Sequence, residues 1–152
     1  MKKPILTLLT AISILTGSAQ AHLGWTLDDC SQKWGPPKSE VTDDGVLAYY
    51  WNRKNYGIEV IVMEGFVNCI CYYSGSRSFL ASHIDNWLAA SASKGWEVYD
   101  DGGKATIKTW RNLSYDCYAV FKLVPGTKFY RLQVATNAYS DLLKAMAKGS
   151  LQ

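Results

Sequence analysis

Ile58-Glu59-Val60-Ile61-Val62-Met63-Glu64-Gly65-Phe66-Val67-Asn68-Cys69-Ile70-Cys71-Tyr72-Tyr73 is the stretch on which the fold turns. Two runs rich in β-branched and aromatic residues, Ile58 to Met63 and Val67 to Tyr73, flank Glu64-Gly65, which has the composition of a tight turn. A third such run, Val46 to Trp51, precedes them across the looser link Asn52 to Gly57. Strands joined by links this short cannot cross over, so the stretch predicts a meander of three antiparallel strands.

Helices flank the meander. Thr26 is a good N-cap with Asp29 three residues on, Leu27 to Trp34 then form a short helix, and Gly35-Pro36-Pro37 stops it. After the third strand, Ser76 or Ser78 caps a longer helix in which Leu80, Ile84, Trp87 and Leu88 share one face, and Gly95 ends it. Further strands are expected at Ala105 to Trp110, Tyr115 to Val124 and Phe129 to Thr136, with turns at Arg111-Asn112 and Pro125-Gly126. Asn137 can cap a last helix through Met146, closed by Gly149.

The pattern is a tandem one: a helix and three strands, then a helix and three strands again. Residues 22–152 therefore read as one α+β domain of two similar halves, about 24–74 and 76–148. Its antiparallel sheet carries helices on one face, with an additional C-terminal helix.

Residues 1–21 read as a cleavable secretory signal peptide. Lys2 and Lys3 give the positive start, Ile5 to Leu15 the apolar run, and Ala19-Gln20-Ala21 the small-x-small cleavage site. The apolar run falls short of the roughly twenty residues that span a bilayer. Position 22 is histidine, not the cysteine of a bacterial lipoprotein, so no membrane anchor is expected after cleavage. The expected location is the periplasm or the medium around a bacterial cell.

The chain has 16 basic and 13 acidic residues, and Lys2 and Lys3 belong to the leader, so the remainder carries 14 minus 13, or +1. That balance gives no basic stripe for a nucleic-acid partner. Cys30, Cys69, Cys71 and Cys117 form an even set, and in an oxidising compartment the expectation is disulfides. Alternation along the strand puts Cys69 and Cys71 on one face, where they could receive Cys30 and Cys117, one each. A four-thiolate zinc site is the lesser reading, because structural zinc usually takes two pairs of closely spaced cysteines.

Gly24-Trp25-Thr26, Trp34-Gly35-Pro36-Pro37, Tyr49-Tyr50 and Gly65-Phe66-Val67 together resemble the SmpA/OmlA type of domain over residues 24–67. That family comprises small outer-membrane-assembly lipoproteins, with a fold shared by secreted β-lactamase-inhibitor proteins. The second half, with Ile84, Leu88, Trp96, Trp110, Tyr118-Ala119, Leu132, Val134-Ala135-Thr136 and Tyr139, is similar to secreted bacterial proteins of unknown function. The resemblance implies a protein-binding module used as an inhibitor or assembly factor, although the anchor cysteine of the lipoproteins is missing.

Groups for catalysis are sparse. Histidine occurs only at His22 and His83. Cys71 with His83 would be the obvious nucleophile and base, but a disulfide and a surface histidine explain them more simply. Asp43-Asp44-Gly45 and Asp100-Asp101-Gly102-Gly103 read as turns, as does Glu64 with Gly65, and Glu59 as a strand residue. If cleavage follows Ala21, His22 could grip copper through its amine and ring together with His83, a minority reading. No catalytic residue and no cofactor is assigned.

The expected function is non-catalytic binding of another envelope or extracellular protein through an aromatic sheet face, with Tyr49, Trp51, Tyr72, Trp110 and Tyr118 as the candidate contacts. The alternative is a carbohydrate- or small-ligand-binding module, and less favoured is a small hydrolase with two acids.

Overall fold

Eleven elements follow one another in the computed structural model, which describes residues 22–43, 46–101 and 107–149. The first is helix α1 (Leu27–Trp34), followed by strands β1 (Ser39–Asp43), β2 (Val46–Asn52), β3 (Gly57–Met63) and β4 (Phe66–Ser74). Helix α2 (Arg77–Ser91) then leads into β5 (Glu97–Asp100), β6 (Lys108–Asn112), β7 (Cys117–Leu123) and β8 (Tyr130–Thr136), and α3 (Asn137–Gly149) ends the described chain. The expected leader, residues 1–21, lies outside the described residues.

The protein is an α+β fold built on one antiparallel sheet of eight strands in the order β1-β2-β3-β4-β8-β7-β6-β5. Each half is a helix followed by a four-strand meander, and the last strands of the halves pair at the centre, with Tyr72 opposite Leu132. The turn Glu64-Gly65 has positive φ at both residues, 53° and 83°, the backbone of the two-residue hairpins that suit twisted strands.

Each half has four strands where three were expected. The additional pair, β1 and β5, are the two edges of the sheet. Ser39–Asp43 is mostly polar and every residue of β5 is exposed, so neither shows an apolar alternation that marks a strand. Backbone pairing to β2 and β6 makes them strands instead. Arg111 and Asn112, expected as a turn, belong to β6, and the turn falls on Leu113 to Asp116. Ala105 and Thr106, expected in that strand, lie outside the described residues.

The helix ends follow capping chemistry. In α1, Thr26 Oγ1 accepts from the Asp29 amide at 3.2 Å while the Thr26 amide donates to the Asp29 carboxylate at 2.8 Å. Ser76, of the two candidates, caps α2. The helix stops at Ala92, three residues before Gly95. For α3 the cap is Thr136, whose hydroxyl accepts from the Tyr139 amide, and Asn137 is already helical.

Helices α1 and α2 cover the first face of the sheet. The main core lies there, with Cys30, Leu80, Ile84 and Leu88 from the helices against Trp51, Val60, Ile70, Tyr72, Phe121 and Leu132 from the strands. The C-terminal helix takes the other face, where Tyr139 packs on Ile61, Cys69, Cys71 and Ala135. Among the described residues no helix is long and apolar enough to cross a membrane.

Candidate functional site

Strand parity sorts the predicted contact residues. Tyr49, Trp51, Tyr72 and Trp110 all point to the helix-covered face and are at most 7 % exposed. The expectation of an exposed aromatic face made of these four is therefore corrected. Two helices lying on a sheet need large side chains beneath them, and these rings supply that volume. Trp51 also spends its indole N–H on the Gly35 carbonyl, at 2.7 Å. Tyr118 alone of the five is on the second face, half-buried, with its hydroxyl accepting from Gln133 at 3.2 Å.

The cysteines are free thiols, and the expected pairing is corrected as well. Cys69 and Cys71 do share a face, with their sulfurs 3.8 Å apart. Cys30 belongs to the core on the opposite face. Cys117 alternates with Tyr118 and shares the parity of core residue Ala119, which puts it on that opposite face too. A sheet therefore stands between each intended pair of partners.

The histidines are also kept apart. His22 lies edge-on to Trp25 and Trp34, its backbone amide donates to Ala90 and its Nδ1 is 3.3 Å from the Tyr72 hydroxyl. Burial, reinforced by the charge of Lys33, lowers its pKa to about 4. His83 stands on α2 beyond Trp87, with Nδ1 against the Phe79 carbonyl and the Ser82 hydroxyl. The ring nitrogen with which His22 would chelate copper is thus engaged by the Tyr72 hydroxyl. Cys71 and His83 sit on opposite faces and make no nucleophile–base pair. Among the described residues no three His, Cys, Asp or Glu side chains are placed to hold a metal ion.

A polar cluster that the sequence reading passed over occupies the second face. Register aligns Tyr50, Glu59, Cys71 and Gln133 across β2, β3, β4 and β8, with Tyr73 opposite Arg131 in the next row. The Glu59 carboxylate accepts from the Tyr50 hydroxyl at 2.9 Å and, on its other oxygen, from the Tyr73 hydroxyl. Burial and the Glu59 hydrogen bond push Tyr50 up to about 12. Burial likewise raises Cys69 well above the usual thiol range, followed by its contact with Cys71. The Arg131 Nε is buried with no hydrogen-bond partner among the described residues. One signal was present in the sequence: a glutamate in the middle of the apolar run Ile58 to Met63 needs partners of its own.

Beside this cluster, at the end of the sheet where the β2–β3 and β4–α2 links meet, lies a cleft of about 610 Å³. Its walls include Tyr50, Tyr56, Tyr73 and Phe129, with Arg53 at the rim and Glu59 as its single carboxylate among the described residues. The paired acids that glycoside hydrolysis usually requires are not assembled there.

No family model matches the chain. No curated protein matches it either. Among solved structures, it is similar to a cysteine-rich secretory protein from Staphylococcus aureus subsp. aureus Mu50, with a TM-score of 0.48 and 13 % identity over 77 % of this chain. The match spans 45 % of that protein's own length.

Proposed function

We propose that this chain is an exported, non-catalytic protein-binding module of the periplasm or the extracellular medium, and that it meets its partner with the β5–β7 end of its sheet. The observation that supports this is the placement of exposed large hydrophobic side chains. Val98, Tyr99, Ile107, Leu113, Tyr115 and Leu123 are 38 % to 75 % exposed, and all lie on β5, β6 and β7 or their links. Strands β2 and β3 of the first half, whose counterparts are β6 and β7, expose none. Two halves of like topology that differ in this way favour a specialised contact surface over a general surface composition. Strand β5 is also a sheet edge, to which a partner can add a strand through its backbone.

Affinity capture from the native envelope and extracellular fractions tests this reading. A stoichiometric partner should be retained by the wild type and by the control Phe66→Ser, and lost by the triple variant Tyr99→Ser, Leu113→Ser, Tyr115→Ser. Retention by the triple variant, or no stoichiometric partner at all, would count against it.

A small-ligand module is the second reading, and the cleft favours it. Its volume falls within the range of roughly 300–1,000 Å³ common for such sites, and tyrosines around a carboxylate suit a polyol. Calorimetric titration with mono- and oligosaccharides should then show heat that Tyr73→Ala removes.

A further inference from the structure

The pair Cys69 and Cys71 is used by neither reading. Both side chains are nearly inaccessible, 1 % and 3 % exposed, and their sulfurs stand 3.8 Å apart beneath α3. In an oxidising compartment the simplest fate of two adjacent thiols is a disulfide, but their place on a strand opposes it. Residues i and i+2 of a strand are about 6.6 Å apart, so the β-carbons on one face are separated similarly. A disulfide needs β-carbons about 3.5–4.5 Å apart. Closing the bond would require β4 to buckle at the centre of the sheet, where it pairs with β3 and β8 on both sides.

The separation suits a shared ion instead. An ion about 2.3 Å from each of two sulfurs 3.8 Å apart subtends an S–metal–S angle of about 110°. Zinc would need further nitrogen, oxygen or thiolate ligands, and no third His, Cys, Asp or Glu joins the pair among the described residues. Glu59 lies opposite Cys71, but its two oxygens are taken by the Tyr50 and Tyr73 hydroxyls, and the other donor side chain packed against the cluster is the soft thioether of Met63. Thiolate and thioether together select a soft monovalent ion, above all Cu(I).

From this juxtaposition we infer that Cys69 and Cys71, with Met63 as third ligand, form a buried Cu(I) site between the sheet and α3. Binding exchanges two thiol protons for one Cu(I) and moves no electrons, leaving a bis-thiolate complex with one net negative charge. Arg131 answers that charge. It lies opposite Tyr73, one row from Cys71, and holds its Nε buried without a hydrogen-bond partner among the described residues. A cavity of about 230 Å³ under α3 shares Ile61 and Tyr139 with the cysteine cluster and is lined by a second thioether, Met146.

Anaerobic titration of the reduced protein with Cu(I), in competition with a chromophoric Cu(I) chelator, tests the site. The expected result is one Cu(I) per chain with release of two protons. Cys69→Ser and Cys71→Ser should each weaken binding at least about 100-fold, and Arg131→Met about 10-fold at unchanged stoichiometry. The double variant Cys30→Ser, Cys117→Ser should bind as the wild type does. X-ray absorption on the loaded wild type, which needs no variant to fold, should show two or three sulfur scatterers. Failure to hold Cu(I) against the chelator would overturn the site. So would binding that depends on Cys30 or Cys117, nitrogen and oxygen scatterers in place of sulfur, or a Cys69–Cys71 disulfide in the protein as secreted.

Discussion

The ring of Tyr72 lies flat against that of Trp87, with centroids 4.1 Å apart and planes within 1° of parallel. Tyr72 belongs to the central strand β4 and Trp87 to α2, so this stack is where the longer first-face helix is fixed to the middle of the sheet. Tyr56 closes the group from the β2–β3 link, 5.4 Å from Trp87. Truncating Trp87 to alanine opens a void beneath α2 that the neighbouring rings cannot fill without leaving their rotamers. Trp87→Ala should therefore cost about 3–5 kcal/mol, and Trp87→Phe distinctly less because a stacked ring remains. Urea unfolding of the two variants checks the order, and equal losses would show that the stack is not what holds the helix.

Asn112 and Gly95 make a second, polar joint. Asn112 is 1 % exposed, its amide donates to the Lys94 carbonyl at 2.6 Å, and its oxygen accepts from the Tyr115 amide at 3.3 Å. One side chain thus ties the link after α2 to the β6–β7 turn. Asn112→Ala would leave these backbone groups without it, at a cost of about 1–3 kcal/mol. Gly95 approaches closely, with φ +87°, and a β-carbon there would lie 3.0 Å from the Asn112 oxygen. Gly95→Ala should destabilise by a similar mechanism, and the double variant by less than the sum. A double-mutant cycle on thermal or urea unfolding measures this, and strict additivity would remove the proposed coupling.

What the sequence showed of this architecture was what side-chain pattern can carry. Strands β2, β3 and β4 alternate or run apolar, α1 has its capping box, and these are found within a residue or two of expectation. Strands β1 and β5 are held by backbone pairing at the sheet edges, which leaves no imprint on side-chain order. The candidate contact residues failed for a related reason. Alternation shows that Tyr49 and Trp51 share a face and that Tyr50 does not, but says nothing of which face the helices cover. Cys69 and Cys71 were placed together correctly. Their distance from Cys30 and Cys117 depended on the sheet between them, a relation that spacing along the chain does not contain.

His22 gives the protein an acid sensitivity with a definite window. Burial, then the charge of Lys33, lowers its pKa from 6.5 to about 4 in the folded state, so the folded chain holds the ring neutral where the unfolded chain would protonate it. Between these values the unfolded state binds the additional proton, and stability falls as pH is lowered. The contribution is whole above pH 6.5 and is lost progressively from 6.5 down to 4. Melting temperatures of the wild type and His22→Gln, compared across that range, should converge toward the acid end. Parallel curves would mean that the ring is solvated in the folded protein.

Tyr50 and Glu59 place the opposite limit on the alkaline side. The phenol is pushed up to about 12 first by burial and then by its hydrogen bond to the Glu59 carboxylate, beside which a phenolate would be a second negative charge. A raised phenol pKa means that the folded state keeps a proton that the unfolded chain gives up from about pH 10. This contribution is therefore intact below pH 10 and is lost between 10 and 12. Glu59→Gln keeps a hydrogen-bond acceptor for the hydroxyl but removes the charge, so the Tyr50 pKa should fall while part of the burial effect remains. Spectrophotometric titration of the folded protein, with Tyr50→Phe to assign the Tyr50 transition, gives the answer. A Tyr50 transition unmoved by Glu59→Gln would leave burial as the whole cause and deny the carboxylate its electrostatic role in the cluster.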